Sequence, residues 1–82
     1  MIIRPIFEKF RERFLFYFEG EVLTAEFDND QNLIVFANPY VDYSDLVIHI
    51  CESVAELVYF RQRLLLYLYP FGSNECLSIR IN

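Results

Sequence analysis

Asp28, Asp30 and Asn32 stand at alternate positions, as oxygen ligands do at the opening of an EF-hand calcium loop. The rest of such a loop is absent: Leu33 occupies the place of the turn glycine, and Pro39 the place of the closing bidentate glutamate. The run therefore reads as a polar hairpin turn. His49 and Cys51 would share one face of a strand, the placement a thiolate–imidazole pair needs. No third group is at hand to orient the imidazole, and a working thiolate must be accessible and activated. A buried histidine beside a buried thiol is the reading adopted. Glu26 and Asp28 would lie on the outer face of a strand about 6.8 Å apart, a separation that suits paired carboxylates. Exposed acids on an edge strand are more often solvated, and they discourage pairing with another chain.

Other chemistries lack their residues. Gly20 and Gly72 are the only glycines, so no glycine-rich loop can cradle a phosphate. Cys51 and Cys76 are too few for a disulfide framework and lack metal-ligand spacing; both read as reduced, mostly buried thiols. The expectation is a protein with no catalytic residues, no metal and no cofactor, and not an enzyme.

Elements that would hold these residues follow from periodicity. Ile3, Ile6, Phe7, Phe10 and Phe14 form a helical stripe, and Pro5 suits a first turn, predicting a helix over about 5 to 13. Phe14 to Phe18 is continuously apolar and reads as a strand buried on both faces. Glu21 to Asp28 and Asn32 to Ala37 follow as strands, completing an antiparallel meander, with Leu23, Ala25 and Phe27 facing inward. Asp45 to Cys51 reads as a fourth strand. Ser53 to Glu56 matches a capping box, predicting a second helix from Val54 to about Tyr69 that ends at Pro70 and Gly72. Glu75 to Ile81 alternates as a last strand. The expected fold is one α+β domain over 1–82, a mainly antiparallel sheet of about five strands with two helices, in the order αββββαβ.

Charge and hydropathy then bound the function. Residues 14 to 60 carry Glu19, Glu21, Glu26, Asp28, Asp30, Asp42, Asp45, Glu52 and Glu56 with no Lys or Arg, within a chain of net charge −5. Such a surface repels nucleic acid and anionic membrane and attracts basic surfaces. The apolar runs are shorter than the about 20 residues of a membrane span, and the charged N-terminal residues do not resemble a signal peptide, so a protein of the cytoplasm, or of the cytoplasm of a host cell, is expected. The chain is 55% hydrophobic, with nine Phe and six Tyr, more than one small domain needs. The predicted second helix is apolar nearly all round, which points to a partner or to self-association.

The expected function is a small acidic protein-binding module. It would be an inhibitor or adaptor that docks a basic surface of a partner protein through Glu19, Glu21, Glu26, Asp28, Asp30, Asp42 and Asp45. That surface could be the channel of a nucleic-acid-handling enzyme, occupied by alternate carboxylates that mimic phosphates, as phage inhibitors do. Tyr59, Arg63 and Leu66 would supply apolar partner contacts or a homodimer interface. The alternative is a homo-oligomeric accessory protein with a solubilising acidic surface. Direct nucleic-acid binding is not expected, because Glu8 and Glu12 interrupt the only basic cluster, Arg4, Lys9, Arg11 and Arg13.

Overall fold

A computed structural model describes residues 2–82. Its elements are α1 (Pro5–Tyr17), β1 (Val22–Phe27), β2 (Leu33–Ala37), α2 (Tyr43–Leu57), β3 (Leu65–Tyr69) and β4 (Leu77–Arg80). The fold is α+β as expected, but its order is αββαββ and its sheet has four strands. Strand order is β1-β2-β3-β4, with antiparallel outer pairs and a parallel β2–β3 pair at the centre. Two hairpins are thus joined by a helical crossover, the connection that parallel neighbours require.

Pro5 opens α1, and Phe7, Phe10 and Phe14 form its buried stripe. The helix runs through Phe14–Tyr17 where a strand was expected. Its last turn keeps the stripe at Phe14 and leaves Phe16 82% exposed, a one-sided burial that a strand buried on both faces would not show. The Phe18 amide closes the helix on the Phe14 carbonyl, and Gly20, at φ 86°, turns the chain into β1.

In β1 the register shifts between Val22 and Thr24. This bulge puts Val22 into the core and Leu23 outside, half exposed, whereas Ala25 and Phe27 face the core as expected. The following turn brings Gln31 to φ 62°, one of the few left-handed positions tolerated outside glycine.

Asp45 to Cys51 is helix rather than strand. Leu46, Ile50, Ser53, Val54 and Leu57 are buried, a period that only a helix gives; apolar residues at 46, 47, 48 and 50 also permitted alternation. The cap is Asp42, whose Oδ1 accepts from the Asp45 amide at 3.0 Å. Ser53 to Glu56 lies inside α2, so its capping-box pattern caps nothing. The helix stops at Val58, whose backbone is extended.

Leu64 to Tyr69, predicted as the second half of that helix, contains β3. Leu64, Leu66 and Leu68 are buried, while Leu65, Tyr67 and Tyr69 are only partly so; the period is two, not 3.6. In β4, Ile79 packs against the core and Ile81 is buried, while Leu77 is half exposed.

The core lies between the sheet and the two helices. Phe10, Phe14, Phe18, Leu33, Val35, Leu46, Ile50, Leu64, Leu66 and Leu68 are essentially inaccessible. Each such side chain contributes about 1.5–3 kcal/mol by leaving water. Phe60 joins the aromatic part, with ring centroids 5.3 Å from Phe7 and 5.7 Å from Phe10. Much of the aromatic surplus is therefore spent inside the fold. No helix among the described residues is long and apolar enough to cross a membrane.

Candidate functional site

The buried residues of both helices join one core on one side of the sheet, so among the described residues those alternating to the other side meet no second layer. Val35, Leu33, Leu66 and Leu68 belong to the core, whereas Ile34, Phe36, Leu65, Tyr67 and Tyr69 belong neither to it nor to the apolar groups packed against it. Pairing arranges these five in rows across the strands. Thr24, Phe36 and Tyr69 form one row, Glu26, Ile34, Tyr67 and Ser78 the next, and Leu65 and Arg80 a third. The Phe36 and Tyr69 rings stack with centroids 5.0 Å apart and planes 22° from parallel. All five are partly buried by one another, which leaves an apolar, ring-rich platform. Hydrogen bonding with the Cys76 side chain and the charge that side chain can carry, followed by burial, hold the Tyr69 phenol above its ordinary value of 10.0. The Tyr69 ring is therefore uncharged at neutral pH.

Charge on this face is divided between its edges. Glu26 stands on the β1 side, its side chain 77% exposed and 3.7 Å from Arg11. Asp28 follows two residues on, just past the end of β1, and Arg80 is the exposed cation on the β4 side.

The predicted acidic residues do not form one patch. Glu19 and Glu21 lie before β1, and Asp28 and Asp30 after it, at opposite ends of a strand about 20 Å long. Glu19, Glu26 and Asp30 are exposed. Glu21 is engaged by His49, Oε1 to Nδ1 at 3.1 Å. Asp42 and Asp45 form the first turn of α2, where Asp42 is occupied as the cap and both favour the positive end of the helix dipole.

Asp28 is committed to its own turn. Oδ1 accepts from the amides of Asp30 and Asn32, both at 2.9 Å, and Oδ2 accepts from Asn32 Nδ2 at 3.2 Å. Burial pushes its carboxyl up, but the bonds from Asn32 and Asp30 outweigh burial and hold it below the ordinary 3.8. These oxygens serve the hairpin as the turn reading required, and no group of three or more His, Cys, Asp or Glu among the described residues could hold a metal ion.

The predicted apolar contacts divide. Tyr59 is 45% exposed on the helical side, where its hydroxyl donates to the Ile6 carbonyl at 3.1 Å and Arg13 lies over its ring at 5.2 Å. Arg63 is exposed and lines an open cleft with Arg4, Asp30, Gln31 and Asn32. Leu66 is fully buried in the sheet core and cannot contact a partner; the helix face proposed to expose it does not exist. His49 and Cys51 also part company. Two residues apart on a helix, they point different ways, His49 towards Glu21 and the Phe18 ring and Cys51 into solvent. Cys76 is exposed as well, so neither thiol is buried as expected.

The residues that sequence reasoning passed over are Phe36, Tyr67 and Tyr69. Their signal was the alternation of Leu65, Tyr67 and Tyr69 with Leu64, Leu66 and Leu68, obscured because both sets are apolar. No family model, curated protein or solved structure matches this chain.

Proposed function

We propose that this chain is a small acidic protein-binding module that docks a basic surface of a partner protein along its β1 flank, acting as an inhibitor or adaptor. The observation that carries the reading is the placement of exposed Glu19, Glu26 and Asp30 along one edge strand and its turns. The guanidinium beside Glu26, that of Arg11, is already shared between the Ala25 carbonyl, Glu8 and Glu26. A long negative edge of this kind steers a basic partner and raises its on-rate. It also blocks addition of a foreign strand to the free side of β1. The channel of a nucleic-acid-handling enzyme is one such basic surface, and it suits carboxylates spaced along an extended chain.

The test is affinity capture from the native host lysate with the wild-type chain and with a Glu19→Lys/Asp30→Lys variant. Neither side chain holds a turn or a cap, so the variant keeps its fold. A partner retained by the wild type at low salt, released at high salt and lost by the variant supports the acidic flank. The same partners on both proteins would overturn it.

A second reading, self-association, is favoured by the uncovered platform of Ile34, Phe36, Leu65, Tyr67 and Tyr69, a surface separate from the acidic turns.

A further inference from the structure

We infer that the uncovered sheet face is a homodimer interface, closed by a second copy of this chain whose strands run in the same direction about a two-fold axis lying between β2 and β3. The inference shares only Glu26 with the basic-partner reading, which otherwise concerns the turns of β1.

Symmetry and charge select this arrangement. Face-to-face packing of two identical sheets admits a two-fold axis along the strands or across them. An axis across the strands lays β1 on β1 and β4 on β4, so the acidic edge of each copy meets the acidic edge of the other and the edge bearing Arg80 meets its like. An axis along the strands lays β1 of each copy over β4 of the other. Glu26 of each copy then lies over Ser78 of the other, one row from Arg80. The acidic edge and the basic edge of one face complement each other twice.

The apolar rows agree with the same axis. β2 and β3 are parallel and in register, Ile34 with Tyr67 and Phe36 with Tyr69. Exchange of β2 for β3 by the two-fold therefore sets Phe36 against Tyr69 of the second copy and Ile34 against Tyr67. The Phe36–Tyr69 stack becomes half of a four-ring cluster on the two-fold axis, next to the row of Ile34 and Tyr67, and buried aromatic anchors of this kind contribute most to an interface. An antiparallel central pair could not be superposed on itself in this way.

Size sets the strength. Four strands about 4.8 Å apart and five residues at about 3.3 Å each make a face roughly 15–20 Å on a side. That is well below the about 800 Å² per partner of a standard stable interface. The dimer is thus a weak, reversible one. It leaves Glu19 and Asp30 of both copies on the outer flanks.

Sedimentation equilibrium of the full chain over a wide concentration series tests the inference. A monomer–dimer equilibrium is expected. Tyr67→Lys, on a residue outside the core, should shift it at least tenfold towards monomer, with the far-ultraviolet circular dichroism unchanged. Arg80→Glu and Glu26→Arg should each weaken association about fivefold, since every substitution acts twice in the symmetric pair, and the double exchange should recover most of the loss. A monomer up to millimolar concentration overturns the inference. So does a dimer indifferent to Tyr67→Lys, which would place association on another surface such as that of Phe16 and Tyr17, or a double exchange no tighter than the single ones. Saturable binding of single-stranded oligonucleotide that Tyr67→Lys abolishes, without self-association, would assign the rings to base stacking instead and would equally overturn it.

Discussion

Removing the Asp28 carboxylate should unfasten the β1–β2 hairpin more than its half-exposed position suggests. Three donors converge on it, the amides of Asp30 and Asn32 and the Asn32 side chain, and together they hold a loop in which Gln31 adopts a left-handed backbone. A buried hydrogen bond to a charged group is worth about 1.5–3 kcal/mol. Water can replace part of this set, and a lost side-chain cap typically costs about 1 kcal/mol, so Asp28→Ala is expected to cost about 1–2 kcal/mol. In a domain of this size that lowers the melting temperature by about 5–15 °C. The pH dependence follows from the depressed carboxyl. A group whose pKa is lower in the folded chain stabilises it above the unfolded value, near 3.9, and the stabilisation is lost as pH falls through the folded value. The gap between wild type and Asp28→Ala should therefore be full at pH 6 and narrow progressively as pH falls below about 4. Thermal denaturation from pH 3 to 7 measures it, with Asp30→Ala as the control, since only the Asp30 backbone enters the turn. Equal effects of the two substitutions, or a gap that does not narrow from pH 6 to pH 3, would refute the reasoning.

Other substitutions separate sheet from helix. Leu66→Ala should cost about 2–5 kcal/mol by opening a cavity, whereas Tyr67→Ala, next in sequence, should cost far less; similar losses in urea unfolding would argue against β3. Asp42→Ala should cost about 1 kcal/mol through the lost cap of α2, and Glu56→Ala almost nothing, a contrast measurable by thermal melts. Tyr43→Phe removes the hydroxyl that donates to the Leu68 carbonyl at 2.7 Å and should cost about 1 kcal/mol. Both Cys51 and Cys76 are exposed, so a thiol reagent should titrate two groups in the native protein at rates close to those in denaturant; slow or partial reaction would contradict their placement.

The sequence reading succeeded where one face of an element is plainly polar. α1 was legible in its phenylalanine stripe among charged residues, the β1–β2 hairpin in its Asp-Asn-Asp-Gln-Asn turn, and β4 in the alternation of Ile79 and Ile81 with Ser78 and Arg80. It failed where both faces are apolar. Tyr43 to Leu57 and Leu64 to Tyr69 satisfy helical and strand periods alike, so a matching but misplaced capping box at Ser53 drew the helix forward and hid β3 within it. That exchange also displaced the candidate site. The expected apolar helix face, with Leu66 on it, is in fact a sheet with Leu66 inside and Tyr67 and Tyr69 outside. The carboxylates could be found in the sequence but not their neighbours, since pairing of Glu21 with His49 and of Glu26 with Arg11 depends on contacts across the fold.

The uncovered sheet face is the feature on which the account turns, and concentration-dependent amide chemical shifts examine it residue by residue. On raising the concentration, the largest changes should fall on Ile34, Phe36, Leu65, Tyr67 and Tyr69 and on the edges at Glu26 and Arg80, with Phe16 and Ile48 on the helical side unmoved. Shifts concentrated on the helices, or none at any position up to millimolar protein, would contradict it.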